Sequence, residues 1–181
     1  MQTSDIIVIG AGIAGSSAAA ELAAQLDVVL LEMEAQPGYH ATGRSAAYFA
    51  TSYGKKVIRE FTASCEGFLL NPPAGFTDVE LLRPRDYMLF GREDQVESLR
   101  AEQAENPRLE FIDAKAVCER VPIMSADYVH GALWDPRGGD LDVDALLQAY
   151  LRLFRRRGGQ LFNKHRVSRI ERKGGNWRLQ A

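Results

Sequence analysis

Two hydrophobic patterns alternate at the start of the chain. Short, largely apolar runs at residues 5–9 and 28–31 are typical of strands that are buried on both faces of a parallel sheet. The alanine-rich residues 13–25 between them predict a helix that can lie close against such a sheet. The order of strand, glycine turn, helix and strand predicts one right-handed parallel unit.

The rest of the chain predicts a mixture of helices and strands without this tight repeat. Apolar residues recur at helical spacing in residues 55–70 and 143–154, and Asp142 can cap the second of these helices. A charged helix is predicted at residues 93–106. Short extended segments are predicted at residues 80–91, 109–112, 128–134, 161–162, 167–170 and 177–179. The middle third is therefore predicted to begin a second domain.

Composition narrows the class of protein. The 181 residues include 22 Lys+Arg and 24 Asp+Glu, so the net charge of −2 lacks the basic excess of nucleic-acid-binding proteins. No apolar run approaches the roughly 20 residues that span a bilayer, and the polar start is unlike an export signal. Scattered histidines and two distant cysteines predict no metal site. We therefore expect a cytoplasmic protein with no nucleic-acid partner and no transmembrane segment.

Residues 10–15 carry the clearest chemical signal. Their sequence, GAGIAG, fits Gly-x-Gly-x-x-Gly between a predicted strand and a predicted helix. Gly10 permits the tight turn, Gly12 lets the backbone approach a pyrophosphate, and Gly15 lets the helix pack on the strand. The helix N-terminus attracts phosphate, while Glu32 can accept hydrogen bonds from both ribose hydroxyls and would repel a 2′-phosphate. The motif predicts a bound dinucleotide and disfavours NADP, but NAD and FAD remain equally compatible with it.

The segment that follows Glu32 differs from an ordinary NAD-binding domain, in which a helix usually comes within a few residues. Here the chain continues with LEMEAQPGYHATGRSAA and AYFATSYG, and later with NPPAGF and LLRPR. In these motifs the chain resembles the D-amino acid oxidase superfamily of FAD-dependent amine oxidoreductases. Within that superfamily it most resembles the bacterial D-arginine dehydrogenase and D-amino acid dehydrogenase subgroup. The resemblance runs from about residue 4 to the end, and its specific part ends at Gly54.

This resemblance implies an α/β fold and a cofactor. It implies a Rossmann-like FAD-binding domain with a parallel sheet, formed by residues 1–79 and 140–181 and incomplete, and part of an α+β substrate domain in residues 80–139. Family members continue beyond the position of Ala181 with a strand that returns to the sheet, a substrate-carboxylate arginine and a glycine-rich flavin segment. The chain is therefore expected to be an N-terminal portion.

The resemblance also assigns positions for FAD. The glycine turn would bind the pyrophosphate, Glu32 the adenosine ribose, and residues 41–47 would run along the pyrophosphate and ribityl chain. Val167 would meet the adenine through its backbone, and an ordinary core valine is the alternative. The expected FAD-binding residues are Gly10, Gly12, Ile13, Ala14, Gly15, Glu32, Met33, Ala41, Thr42, Gly43, Arg44, Ser45, Ala46, Ala47 and Val167.

Three tyrosines are expected on the substrate side. Tyr53 matches a tyrosine that reaches the amino acid from above the flavin, although a packed aromatic is the alternative. Arginine-preferring members place a histidine where Tyr48 stands and a carboxylate where Tyr87 stands. The neighbouring Asp86 would point to the opposite face of an extended segment. We therefore expect guanidinium recognition to be weakened or lost, and a neutral or aromatic D-amino acid to fit better.

The resemblance implies oxidative deamination, in which a hydride passes from the substrate Cα to flavin N5 and the imino acid hydrolyses to a keto acid and ammonia. No residue is indicated as a catalytic base, and the electron acceptor, oxygen or a quinone, stays open. Two alternatives remain. One is a nicotinamide-dependent dehydrogenase, for which the glycine turn and Glu32 argue equally well. The other is an FAD-binding fragment without turnover.

Overall fold

The computed structural model describes residues 3–181, which divide into two compact units. Unit 1 contains the described residues up to 47 together with residues 72–81 and 142–181, and unit 2 contains residues 48–71 and 82–141. Residues 48–71 thus group with unit 2, whereas the sequence places residues 1–79 in one domain. The assignment of the units to cofactor and substrate remains a prediction.

The described residues contain both parallel and antiparallel strands and several helices. The strands are β1 (Ile6–Ile9), β2 (Val28–Leu31), β3 (Tyr48–Phe49), β4 (Leu82–Pro84), β5 (Tyr87–Gly91), β6 (Glu110–Asp113), β7 (Gly131–Asp135), β8 (Gly139–Leu141), β9 (Gln160–Phe162), β10 (Arg169–Lys173) and β11 (Asn176–Gln180). The helices are α1 (Ile13–Leu22), α2 (Lys56–Leu70), α3 (Val96–Glu105), α4 (Ala114–Arg120) and α5 (Val143–Arg156), and a 3₁₀ turn at Glu93–Gln95 precedes α3.

Unit 1 is built on a parallel sheet with the strand order β1-β2-β9. Helix α1 links β1 to β2, and its small residues Ala19 and Ala20 are fully buried. They belong to one core cluster with Leu151 and Phe154 of α5. The alanines predicted to allow close packing therefore do so, against a helix as well as a sheet.

Strand β1 differs from its prediction. The sequence predicts burial on both faces, but Ile7 is 37% exposed and Ile9 is 52% exposed, whereas every residue of β2 is buried. Exposed residues alternate with Ile6 and Val8, which pack against the core cluster, so only one face of β1 is covered. Strand β2 lies between two strands, whereas β1, within the described residues, pairs with β2 alone.

The basic end of α5 has a structural role. Arg156 donates to the carbonyl of Gly75, and Arg157 donates to the carbonyl of Ala20 at 2.6 Å and lies 3.4 Å from Glu21. These arginines tie segments of unit 1 together at a helix C-terminus, where cations are favoured. Two of the three arginines of the basic run thus make contacts within unit 1.

The last strand has a partner that its sequence did not reveal. Strands β10 and β11 pair as an antiparallel hairpin in which Lys173 lies opposite Asn176. The two residues between them, Gly174 and Gly175, have φ values of 60° and 86°, which suits a two-residue hairpin turn.

Unit 2 contains two antiparallel sheets, with the orders β3-β8-β4 and β5-β7-β6. Helix α4, which the sequence analysis missed, is only seven residues long and is capped by Asp113, whose Oδ1 accepts from the Ala116 N–H at 2.8 Å. Strand β8 was missed because its glycine-rich sequence resembles a turn. Across residues 3–181, none of the helices combines the length and the apolar character that crossing a bilayer requires.

Candidate functional site

The turn between β1 and α1 is closed so tightly that it requires glycine. Gly10 has φ +96° and donates its N–H to the carbonyl of Leu31 at 2.7 Å. A Cβ on Gly15 would collide with the carbonyl oxygen of Gly10 and lie 3.4 Å from Val8. The first turn of α1 can therefore pack on the end of β1 only because residue 15 has no side chain.

Thr42 lies over the N-terminus of α1. Its Oγ1 accepts a hydrogen bond from the Ile13 N–H at 3.0 Å, and a Cβ on Gly12 would approach that oxygen to 2.9 Å. The hydroxyl accepts through its oxygen, so its own proton can be donated to an anion. A helix N-terminus with a hydroxyl donor beside it is suited to a phosphate group.

Glu32 is buried, and its carboxylate accepts two backbone hydrogen bonds at the end of β2. Its Oε2 accepts from the Ala11 N–H at 2.8 Å, and its Oε1 accepts from the Glu34 N–H at 2.9 Å. A carboxylate has about four lone-pair positions, so each oxygen keeps one for a further donor. Glu32 can therefore hold the glycine turn and still accept from the two hydroxyls of a ribose.

A cavity of about 600 Å³ in unit 1 brings many of the predicted cofactor residues together. Those that line it are Gly10, Gly12, Ile13, Ala14, Gly15, Glu32, Met33, Ala41, Thr42 and Val167. Residues that the sequence analysis missed also line it, namely Ile9, Leu31, Gly38, Tyr39, His40, His165 and Arg166. His165 and Arg166 directly precede Val167, so the only signal for them was that neighbour.

The later part of the predicted cofactor segment lies beside this cavity. Gly43 and Arg44 line an adjoining cavity of about 470 Å³, which shares Gly38, Tyr39 and Thr42 with the first. There the Arg44 guanidinium lies 5.1 Å from the ring centre of Tyr39. Ser45, Ala46 and Ala47 are not among the residues that line these two cavities. A role for residues 43–47 at the cofactor remains a prediction.

Two of the predicted substrate tyrosines lie together in unit 2. The ring centres of Tyr48 and Tyr87 are 6.0 Å apart, and the Tyr48 hydroxyl donates to the carbonyl of Arg85 at 2.9 Å. The Arg85 guanidinium lies 4.8 Å from the Tyr48 ring centre and 2.8 Å from Asp140. The third tyrosine, Tyr53, follows β3 and is 76% exposed.

The surroundings of Tyr48 keep its phenol protonated. Burial raises the pKa of Tyr48 to about 12, the charge of Asp135 adds to the increase, and the guanidinium of Arg85 opposes it. Asp135 is fully buried, and its Oδ1 accepts from the Arg137 N–H at 3.0 Å while its Oδ2 has no hydrogen-bond partner within the described structure. Asp86 accepts from the indole N–H of Trp134 at 2.9 Å.

Comparison with known proteins decides the family. The family model described as "DAO: FAD dependent oxidoreductase" matches residues 5–181. The chain belongs to this family.

Individual relatives of the chain agree with that result. The gamma-glutamylputrescine oxidoreductase of Escherichia coli (strain K12) is 28% identical over 189 residues, which cover 93% of this chain and 43% of that protein. Two solved structures share the fold. Glycine oxidase from Geobacillus kaustophilus has a TM-score of 0.85 at 16% identity, covering 97% of this chain and 50% of that one. L-alpha-glycerophosphate oxidase from Mycoplasma pneumoniae, with FAD bound, has a TM-score of 0.82 at 15% identity, covering 99% and 50%.

The chain thus spans about half the length of the proteins it matches. The cofactor of the family is FAD, which sets aside the nicotinamide alternative. The unit 1 cavity fits the adenosine and diphosphate part of FAD, because Thr42 and Glu32 on its wall have hydrogen-bonding capacity to spare and because a Cβ at Gly12 would crowd the Thr42 hydroxyl. Among residues 3–181, no group of three or more side chains could hold a metal ion.

Proposed function

We propose that this flavoprotein oxidises the Cα–N bond of D-amino acids with a neutral or aromatic side chain. When bound, FAD supplies the hydride acceptor. The substrate loses a hydride from Cα and a proton from nitrogen, and the resulting imino acid reacts with water to give a keto acid and ammonia. Oxygen or a quinone would remove the electrons. A cytoplasmic location belongs to the same proposal.

On the cofactor side, the protein's contribution is to bind and orient. The N-terminus of α1 and the Thr42 hydroxyl would meet the diphosphate, and Glu32 would accept from the adenosine ribose. Met33 and Val167, which line the same cavity, would enclose the adenosine. These residues fix where the cofactor lies but leave the choice of substrate to unit 2.

The paired tyrosines of unit 2 are the observation that carries the substrate proposal. The Tyr48 phenol stays neutral and already donates to a carbonyl, so it offers an aromatic surface rather than a charge. The nearby exposed carboxylates have partners of their own, since Asp140 is paired with Arg85 and Asp86 accepts from Trp134. Asp135 keeps one oxygen without a hydrogen-bond partner, but its side chain is fully buried and offers no surface to a ligand. The surface that remains is aromatic, which favours an uncharged side chain over a guanidinium.

A second candidate follows from the E. coli relative, whose name states that it acts on gamma-glutamylputrescine. The free amine of its putrescine part, on a carbon that bears no carboxylate, would meet the same tyrosine pair. A third candidate, an FAD-binding chain without turnover, follows from the coverage of about half of each relative.

The test separates cofactor binding from chemistry. The purified 181-residue chain is titrated with FAD, and binding is followed by flavin fluorescence. The complex is then mixed anaerobically with D-phenylalanine, D-methionine, D-arginine, the L-enantiomers and gamma-glutamylputrescine, and the loss of flavin absorbance is recorded. We expect the fastest reduction with D-phenylalanine or D-methionine. Faster reduction by D-arginine or by the L-enantiomers contradicts the proposal, reduction by the amine alone favours the second candidate, and binding without reduction favours the third.

The double variant Tyr48→His and Tyr87→Glu sharpens the substrate test. It introduces the residue types of the arginine-preferring subgroup, so we expect the preference to move toward D-arginine. Tyr128→His is the matched control, because Tyr128 is an exposed tyrosine of unit 2 away from the pair. An unchanged order of substrates in the double variant would show that the tyrosine pair does not set specificity.

A further inference from the structure

The segment that carries Tyr53 is tied down on both sides of the tyrosine. On one side, the side chain of Asn106 donates from Nδ2 to the carbonyl of Ser52 at 2.9 Å. Ser52 is 6% exposed and Asn106 is 1% exposed, so this bond is shielded from water. A buried carbonyl without its donor would carry a desolvation cost, which makes the bond a constraint on the segment.

On the other side, Arg59 of α2 holds Gly54. Its Nη1 donates to the Gly54 carbonyl at 2.9 Å, while its Nη2 donates to the Glu105 carbonyl at 3.2 Å. One guanidinium thus bridges the segment to the end of α3. Gly54 has φ +83°, a conformation that other residues rarely adopt, so the chain is bent where Arg59 holds it.

The end of α3 is a firm anchor. The backbone N–H of Asn106 donates to the carbonyl of Glu102 at 2.9 Å, and its carbonyl accepts from the Leu109 N–H at 3.0 Å. Leu99 of α3 and Leu109 belong to the same buried cluster as Leu133 of β7. The two bonds to the segment therefore start from a part of unit 2 that is fixed by helix capping and by packing.

The exposure pattern shows what these bonds leave free. Tyr53 is 76% exposed, whereas Thr51 and Ser52 just before it are 2% and 6% exposed. The backbone beside the tyrosine is fixed, and its ring projects into solvent. Such a pattern is expected when a segment has to present one side chain at a fixed position.

We propose that Asn106 and Arg59 are positioning residues that hold residues 52–54 so that Tyr53 is presented to the substrate. This inference rests on the proposed role of Tyr53 in amino acid oxidation. Neither residue touches the substrate, and each acts through the backbone beside the tyrosine. The specificity of the enzyme would thus depend on a contact between segments more than 50 residues apart in sequence.

The first test measures the segment itself and needs neither FAD nor substrate. Chymotrypsin cleaves after exposed aromatic residues, and Trp177, which is 66% exposed in unit 1, serves as a reference site in the same digest. Asn106→Asp replaces the amide donor by a carboxylate. Arg59→Lys keeps the charge but replaces the two nitrogens that reach the two carbonyls by a single one. We expect either substitution to speed cleavage after Tyr53 about tenfold relative to cleavage after Trp177, as local opening becomes easier.

Matched controls use residues of the same type that lie away from the segment. Arg108→Lys changes an exposed arginine just beyond α3, and Asn71→Asp changes an exposed asparagine at the end of α2. Both should leave the cleavage ratio unchanged. Cleavage after Tyr53 at the wild-type rate in Arg59→Lys would overturn the proposal. An equal increase in cleavage after Tyr53 and after Trp177 in Asn106→Asp would also overturn it, because that result assigns Asn106 to the stability of the whole fold.

The second test connects the segment to the reaction. In the FAD-loaded chain, both substitutions should raise KM for the substrate about tenfold or more, with a smaller change in kcat and the same FAD affinity. A fall in kcat at constant KM would overturn the positioning role. If no substrate reduces the flavin of the wild-type chain, the proposed function fails while the proteolysis result still decides whether Asn106 and Arg59 hold the segment.

Discussion

The glycine turn at residues 10–15 and the tyrosine segment at residues 48–54 offer different groups to a ligand, the turn its backbone and the segment its side chains. The turn presents backbone N–H groups, and its side chains are small because a Cβ at Gly15 would collide with the neighbouring carbonyl. The segment presents aromatic rings, and its backbone is held by the side chains of Arg59, in the helix that follows it, and of Asn106, at the distant end of α3. A site made of backbone is fixed by its own sequence, whereas a site made of side chains depends on what the rest of the unit places around it.

The largest effect is expected from a substitution in the glycine turn. Gly15→Ala places a methyl group against the Gly10 carbonyl, so the turn must open or α1 must shift. We expect the free energy of unfolding to fall by about 1–3 kcal/mol, as in other overpacked sites, and FAD binding to be lost. Thermal unfolding and a fluorescence titration with FAD measure the two effects.

The control for that change is Gly67→Ala in α2. A Cβ at Gly67 has no neighbour within 4 Å, and alanine favours a helix by about 1 kcal/mol over glycine. Stability should therefore rise and FAD binding should stay the same. If both alanine variants bind FAD equally well, the turn does not need glycine at position 15.

A smaller effect is expected at the carboxylate that supports the turn. Glu32→Gln replaces one acceptor oxygen by an amide N–H₂, which would face either the Ala11 or the Glu34 N–H. Hydrogen bonds to a charged group contribute about 1.5–3 kcal/mol, so we expect FAD affinity to fall by about tenfold or more. Glu34→Gln, a change at a carboxylate that pairs with His40 at 2.9 Å, should alter the affinity far less. Equal losses in the two variants would argue against a specific role for Glu32.

The same contrast explains which features the sequence could predict. The turn, β2 and the cap of α5 by Asp142 depend on residues close together in the chain, so their patterns predicted them. The bond between Asn106 and Ser52 joins positions 54 residues apart, and no local pattern reports it. The exposure of β1 was missed for the same reason, because burial depends on which elements cover the faces of the strand.

The smallest effect is expected in the tyrosine segment, where the pH dependence of stability reports on Tyr48. The pKa of Tyr48 is raised to about 12 from its ordinary value of 10.0, so the native state holds this proton more tightly than the unfolded state does. The stability it contributes is complete below about pH 10 and is lost as the pH rises through about 12.

A spectrophotometric titration of the six tyrosines should therefore show a late component that belongs to Tyr48. Tyr48→Phe should remove this component, whereas the control Tyr53→Phe, at an exposed tyrosine, should leave it in place. A late component that persists in Tyr48→Phe would mean that the segment does not shield this phenol.

The outer edge of β1 has a practical consequence. Within the described residues this strand pairs only with β2, and it displays Ile7 and Ile9 to solvent. An uncovered strand edge with apolar neighbours is a template on which another chain can pair. We expect the 181-residue chain to self-associate through this edge as its concentration is raised, which sedimentation at several protein concentrations would detect.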